Sequence, residues 1–108
     1  MKFEVTASFQ KDFKKLKAEH NAAFKQVVRD RFAPACDAWA GATAARRSYV
    51  WPKNLRVDEL SGAPGIMEMT WSFASPDGRA TFSLIKRDED WVCIWRRIGD
   101  HPPGALKQ

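Results

Sequence analysis

Arg79, Glu68 and His101 are the side chains best suited to chemistry in this sequence, and the chemistry they suit is that of a phosphate. Arg79 follows Ser75-Pro76-Asp77-Gly78, a turn in which Pro presets φ and Gly accepts a positive φ. It sits in the alternating stretch Arg79-Ala80-Thr81-Phe82-Ser83-Leu84-Ile85, which predicts a strand. Ala80, Phe82 and Leu84 point inward there, and Arg79, Thr81 and Ser83 project to the opposite face. A guanidinium offers five N–H donors in a planar fork that suits phosphate or transition-state oxygens. Glu68 belongs to a second alternating stretch over 66–73, where Met67, Met69 and Trp71 share one face and Glu68, Thr70 and Ser72 the other. With the two strands in phase, Glu68 stands on the side of Arg79, as a general base or as its salt-bridge partner. His101 stands just past the last strand. An imidazole can give or take a proton near neutral pH without a large shift, and the alternative is an exposed tail histidine.

A basic run surrounds these candidates. Arg46, Arg47, Lys53 and Arg56 could hold nucleic-acid phosphates, or form a solvated face. Arg96 and Arg97 alternate on the last strand, so at most one of them belongs to a shared cleft. The whole chain carries 18 Lys and Arg against 13 Asp and Glu, a net charge of +5. Residues 1–54 hold eleven basic and five acidic side chains, net +6, and residues 55–108 hold seven and eight, net −1. Such a balance attracts polyanions or an acidic protein partner. Cys36 and Cys93 lack the spacing of a zinc site, and His20 and His101 add little to it, so neither a metal nor a cofactor is expected. Neither cysteine has the setting of a nucleophile.

The elements that must position these groups fit one domain of 108 residues, with a short irregular tail from about 100. Hydrophobic residues make up 44% and charged residues 29%, a globular rather than a disordered composition. No signal peptide and no membrane span are expected, which points to the cytoplasm. Phe3 and Val5 predict a first strand. Thr6 or Ser8 then caps a helix over 8–19, in which Phe9, Phe13, Leu16 and His20 recur at helical spacing. Phe24, Val27, Val28 and Phe32 predict a second helix ending near Pro34. Cys36, Trp39 and Ala40 could form a third short helix before Gly41, with residues 42–47 continuing it or forming a loop. Strands dominate from Leu55 onward, the last running from Trp91 to Ile98. Trp39, Trp71, Trp91 and Trp95 fall at core positions, and Cys93 shares their phase. The expected architecture is α/β of the α+β kind: an N-terminal strand and an antiparallel helical pair packed on a mainly antiparallel, twisted sheet of four or five strands. The helices cover one sheet face, and the polar face of Glu68, Thr70, Arg79, Thr81 and Ser83 stays partly open.

The order of elements and several strings resemble the RelE/ParE-like toxins of bacterial type II toxin–antitoxin systems. The strings are Phe9…Asp12-Phe13…Leu16, Asn54-Leu55-Arg56-Val57…Leu60-Ser61-Gly62 and Gly65-Ile66-Met67-Glu68-Met69. Asp77-Gly78-Arg79-Ala80-Thr81-Phe82 looks like the Gly-x-Arg strand, and Arg97-Ile98-Gly99-Asp100-His101 like the final strand and exit. The resemblance spans nearly the whole chain. It implies a basic cleft and a cognate antitoxin. In the RelE-like branch it also implies ribosome-dependent, metal-independent cleavage of mRNA by an endoribonuclease. Arg79, His101 and Glu68 are then the catalytic candidates, and Lys53, Arg56, Arg46, Arg47 and Arg97 the nucleic-acid contacts. The rival readings are a ParE-type poison of DNA gyrase without a nuclease centre, an inactive antitoxin-binding domain, and a general nucleic-acid-binding module. One departure stands out: family nucleases often carry an aromatic residue after the exit His or Arg, and none follows His101 here.

Overall fold

The computed structural model describes residues 1–60, 62–71 and 78–99. Strand β1 (Lys2–Val5) leads into helix α1 (Ala7–Lys15) through Thr6. Thr6 does two jobs at this corner. Its Oγ1 accepts the Phe9 N–H at 3.0 Å as the helix cap, and it donates to the Arg96 carbonyl at 2.8 Å. Lys14 and Lys15 close α1 with positive charge at the negative end of the helix dipole. The chain then turns extended at Leu16 (φ −69°, ψ 143°), so the helix expected over 8–19 stops at Lys15.

Helix α2 (Ala18–Val27) runs into a wide π turn (Val28–Phe32) and on into helix α3 (Ala33–Ala44) without interruption. The expected stop at Pro34 is absent, and of the two alternatives for the residues after Gly41 the helix continues, as far as Ala44. The π turn gives the reason for the first. The Ala33 N–H reaches back five residues to the Val28 carbonyl, and this widening makes room for the Pro34 ring, which would otherwise press on the carbonyl four residues back. Gly41 is a weak helix former, and its flanking alanines carry the helix past it. Helix α3 ends at Ala45 with Arg46 in the left-handed region (φ 56°). The Arg46 N–H bonds the Thr43 carbonyl and the Arg47 N–H the Ala42 carbonyl, the paired bonds of a Schellman end.

A 3₁₀ turn (Lys53–Leu55) precedes β2 (Asp58–Glu59), β3 (Met67–Trp71), β4 (Gly78–Arg87) and β5 (Asp90–Gly99). The five strands form one sheet in the order β1-β5-β4-β3-β2. β1 runs parallel to β5 and the other pairs are antiparallel, so the α+β architecture of a first strand, a helical pair and a mainly antiparallel sheet is as expected.

The register slips between Thr81 and Phe82: Phe82 faces Trp95 while Thr81 faces Arg97, leaving Arg96 as the extra residue on β5. This bulge changes which side chains are inside. Strict alternation from Cys93 and Trp95 would bury Arg97 and expose Ile98. The extra residue reverses the phase, so Ile98 joins the core and Arg97 leaves it.

The core is aromatic. Phe9, Phe24, Phe32, Phe82 and Trp95 form its centre, with Phe32 and Trp95 ring centroids 4.7 Å apart and Phe32 and Phe82 4.9 Å apart. Trp51 stacks on Phe32 and lies edge-on to Phe82, pinning the segment after α3 to the helix side of the sheet. Trp39 and Trp91 pack on each other at 4.7 Å outside this cluster, half-buried rather than in the core. Burial of rings of this size is the main source of stability for so short a chain.

Candidate functional site

The sheet register builds the site. Thr70 of β3 lies directly opposite Arg79 of β4, and Glu68 lies opposite Thr81, so Glu68, Thr70, Arg79 and Thr81 share one face, as their alternation predicts. Arg79 Nη1 donates to Thr70 Oγ1 at 2.8 Å and to Glu68 Oε1 at 3.4 Å. The Arg79 and Glu68 side chains are 19% and 13% exposed, so the ion pair is shielded from water on most of its surface. Among the described residues, Arg79 Nε is buried without a hydrogen-bond partner. A buried N–H left unmet is costly, and Arg79 retains donors for an incoming oxygen.

This face is less open than its polar sequence implies. Thr70, Thr81 and Ser83 are buried, at 3%, 0% and 7% exposure. The reason is the length of their neighbours. Thr81 lies between Glu68 and Arg97 on the adjacent strands, and Thr70 lies opposite Arg79, so long side chains shade short hydroxyls. Arg79 and Glu68 keep only a small exposed surface at this place.

Arg97 is engaged elsewhere. Its Nε and Nη2 meet Asp12 Oδ2 and Oδ1 of α1 at 2.6 and 3.2 Å. Hydrogen bonding to Asp12 raises the guanidinium above its ordinary value, against the opposing effect of burial. Arg46, Arg47, Lys53 and Arg56 are all exposed on the segment between α3 and β2. Its anchors Trp51 and Leu55 sit in or against the core, on the face of the sheet opposite Arg79. The structure therefore brings Arg79 and Glu68 into contact, while the anchors of the basic run lie across the sheet. His101 lies outside the described residues.

Two partners escape a reading of sequence alone. The Thr70 hydroxyl is visible as a residue of the right face, but its bond to Arg79 depends on the strand register. The grip of Asp12 on Arg97 depends on the bulge at Arg96, which leaves no local mark. Cys36 and Cys93 are free, buried and close. Burial pushes the Cys93 thiol far above its ordinary value, and its hydrogen bond with Cys36 adds to the rise, so this thiol is inert. Among the described residues no cluster of three or more His, Cys, Asp or Glu side chains forms a metal site. No helix among them is long and apolar enough to cross a membrane.

The chain is similar to a chain of the intact E. coli RelBE toxin–antitoxin complex, with a TM-score of 0.50 and 16% sequence identity, covering 94% of this chain and 96% of that one. The likeness runs end to end, and at this identity it is a likeness of fold. No protein-family model matches the sequence. No curated protein matches it either.

Proposed function

We propose that this chain is the toxin of a type II toxin–antitoxin pair and that it inhibits translation by metal-independent, ribosome-dependent cleavage of mRNA. The observation that carries the reading is Arg79, held by Thr70 and Glu68 with an unmet Nε, on a fold shared with a chain of the RelBE complex. In such a cleavage a 2′-hydroxyl gives its proton to solvent water as it attacks the adjacent phosphorus, charge builds on the equatorial oxygens of the phosphorane, and the bond from phosphorus to the 5′-oxygen breaks. Arg79 stabilises that charge through its remaining donors. Glu68 holds Arg79 in place as its counter-ion. His101 is assigned the protonation of the departing 5′-oxygen. Lys53, Arg56, Arg46 and Arg47 supply phosphate contacts along the message or ribosomal RNA, and Arg97 braces α1 against β5. The partners in this reading are a cognate antitoxin, the ribosome and mRNA, in the cytoplasm, all on one 108-residue domain.

The test is induced expression in bacteria without antitoxin, comparing wild type with Arg79→Ala and His101→Ala while mapping mRNA 5′ ends. Growth arrest with in-frame cuts that vanish in both variants is the expected result. Arrest with DNA breaks and no cuts would move the assignment to a gyrase poison. No arrest would leave an antitoxin-binding or nucleic-acid-binding domain.

A further inference from the structure

Resting on the nuclease reading above, we infer that Thr70 is the positioning residue of Arg79, and that it aims the Nε–Nη2 edge of the guanidinium at a phosphate. A guanidinium has one flexible stem and a planar head, so its direction is set by whatever holds one corner. Here that corner is Nη1, 2.8 Å from Thr70 Oγ1. Thr70 is 3% exposed, β-branched and therefore stiff at χ1, and directly opposite Arg79 in the ladder. The β3–β4 ladder thus fixes the two backbone positions from which these side chains meet.

Glu68 also touches Nη1, at the longer distance of 3.4 Å. The two acceptors act differently. A carboxylate offsets the positive charge that a phosphate needs, whereas a hydroxyl orients the guanidinium and leaves its charge in place. With Nη1 taken, Nε and Nη2 remain as the parallel pair of donors that binds two oxygens at once. Nε is buried and has no partner among the described residues, so a phosphate oxygen that bonds it must displace the atoms covering it, and then meets a donor with no hydration to lose. Thr70 supplies direction, and Arg79 supplies charge.

The test uses the full chain as wild type, Thr70→Val and Thr70→Ser. Valine keeps the shape and removes the acceptor, and serine keeps the acceptor. On programmed ribosomes, Thr70→Val is expected to lower kcat by roughly 10- to 100-fold with KM within about twofold, and Thr70→Ser to restore kcat within about threefold. An undiminished Thr70→Val on an active wild type overturns the inference and leaves the nuclease reading intact.

A second readout does not depend on cleavage. Nitrogen NMR of the Arg79 guanidinium, identified by its loss in Arg79→Lys, is expected to show slow rotation about Nε–Cζ in wild type and Thr70→Ser. Rotation should be fast in Thr70→Val. A short single-stranded RNA oligonucleotide should shift the Nε–H resonance. Fast rotation in wild type, or an Nε–H that RNA leaves unmoved, overturns the inference. If wild type does not cleave but both signatures are present, the nuclease reading falls and the aimed phosphate receptor stands.

Discussion

Asp12 and Arg97 tie α1 to β5 through a forked pair of hydrogen bonds, with Nε–Oδ2 at 2.6 Å and Nη2–Oδ1 at 3.2 Å. Asp12 Oδ2 also accepts the Ile98 backbone N–H at 3.1 Å. The position explains the need. β1 pairs with β5 only from Val92 to Trp95, so the backbone of β5 beyond Trp95 has no strand beside it on that edge. The helix that follows β1 supplies the acceptor that the strand would have given.

Asp12→Ala should therefore destabilise the fold by about 2 kcal/mol, since it removes bonds to a charged, mostly shielded group and strands one strand N–H. Asp12→Asn should cost less, because it keeps an acceptor for Ile98. Urea denaturation of the two variants against wild type measures both. On the alkaline side the Arg97 shift is upward, so its contribution is complete below the ordinary arginine range and is lost only at still higher pH. Raising the pH to 10 should leave the Asp12→Ala difference unchanged.

Cys93 makes an opposite demand. Its thiol is held protonated in the folded chain well above the ordinary value of 9.0, chiefly by burial. The unfolded chain releases that proton near pH 9, so above this point the folded state binds more protons than the unfolded one. Stability then falls with rising pH, by about 1.4 kcal/mol per pH unit for this one thiol. Urea unfolding from pH 8 to 10, across which the slope builds up and the total fall comes to about 1.4 kcal/mol, should show this loss in wild type and not in Cys93→Ala, despite the lower baseline of that variant. In the folded protein at pH 8, a thiol reagent should leave Cys93 unmodified until the chain is unfolded.

The elements with strong period were legible in the sequence. Phe9 and Phe13 mark the buried stripe of α1, Thr6 its cap, and Ala80, Phe82 and Leu84 the inner face of β4. Where local grammar was overridden, the cause was tertiary. Pro34 ought to end a helix, yet the aromatic side chain of Phe32 packs centrally on Trp95 and Phe82, and the chain widens by one residue there instead of stopping. The fate of Arg97 turned on a single inserted residue in β5. Period-two reasoning is blind to that insertion, because a bulge alters the phase without altering composition. At the site, alternation placed Glu68, Thr70 and Arg79 on one face. It could not say that Thr70 makes the shorter bond, since that follows from the register of β3 on β4.

Glu68→Gln separates the two roles that a carboxylate can play beside Arg79. As a counter-ion at 3.4 Å, its loss should lower the cleavage rate less than about tenfold and leave the shape of the pH–rate profile unchanged. A general base would instead cost roughly 100-fold or more and remove the acid limb of that profile. Single-turnover rates on programmed ribosomes across pH 5 to 9 decide between them, and the counter-ion result is expected.

Gly41 lies inside α3, and a Cβ built there meets no heavy atom within 4 Å. Alanine would fit without a clash and would reduce the backbone freedom of the unfolded chain. Gly41→Ala should stabilise the protein by about 0.5–1 kcal/mol, read as a higher urea midpoint with an unchanged slope.

Arg46 carries two opposed consequences in one residue. It holds the left-handed position (φ 56°) of the α3 Schellman end, where glycine is the unstrained choice, and it is one of the exposed cations of the segment before β2. Arg46→Gly should raise stability by about 0.5–1 kcal/mol, while Arg46→Ala, which keeps the strain and removes the charge, should leave it nearly unchanged. Both substitutions remove the same charge. If Arg46 contacts a phosphate, each should weaken binding of a single-stranded RNA and reduce the slope of log K against log salt by about 0.7, the value for one contact on a single strand. Equal losses of slope with unequal changes of stability would assign the strain to the backbone and the binding to the guanidinium. An unchanged slope in both would return Arg46 to the solvated surface, and with it the case for this segment as the path of the message.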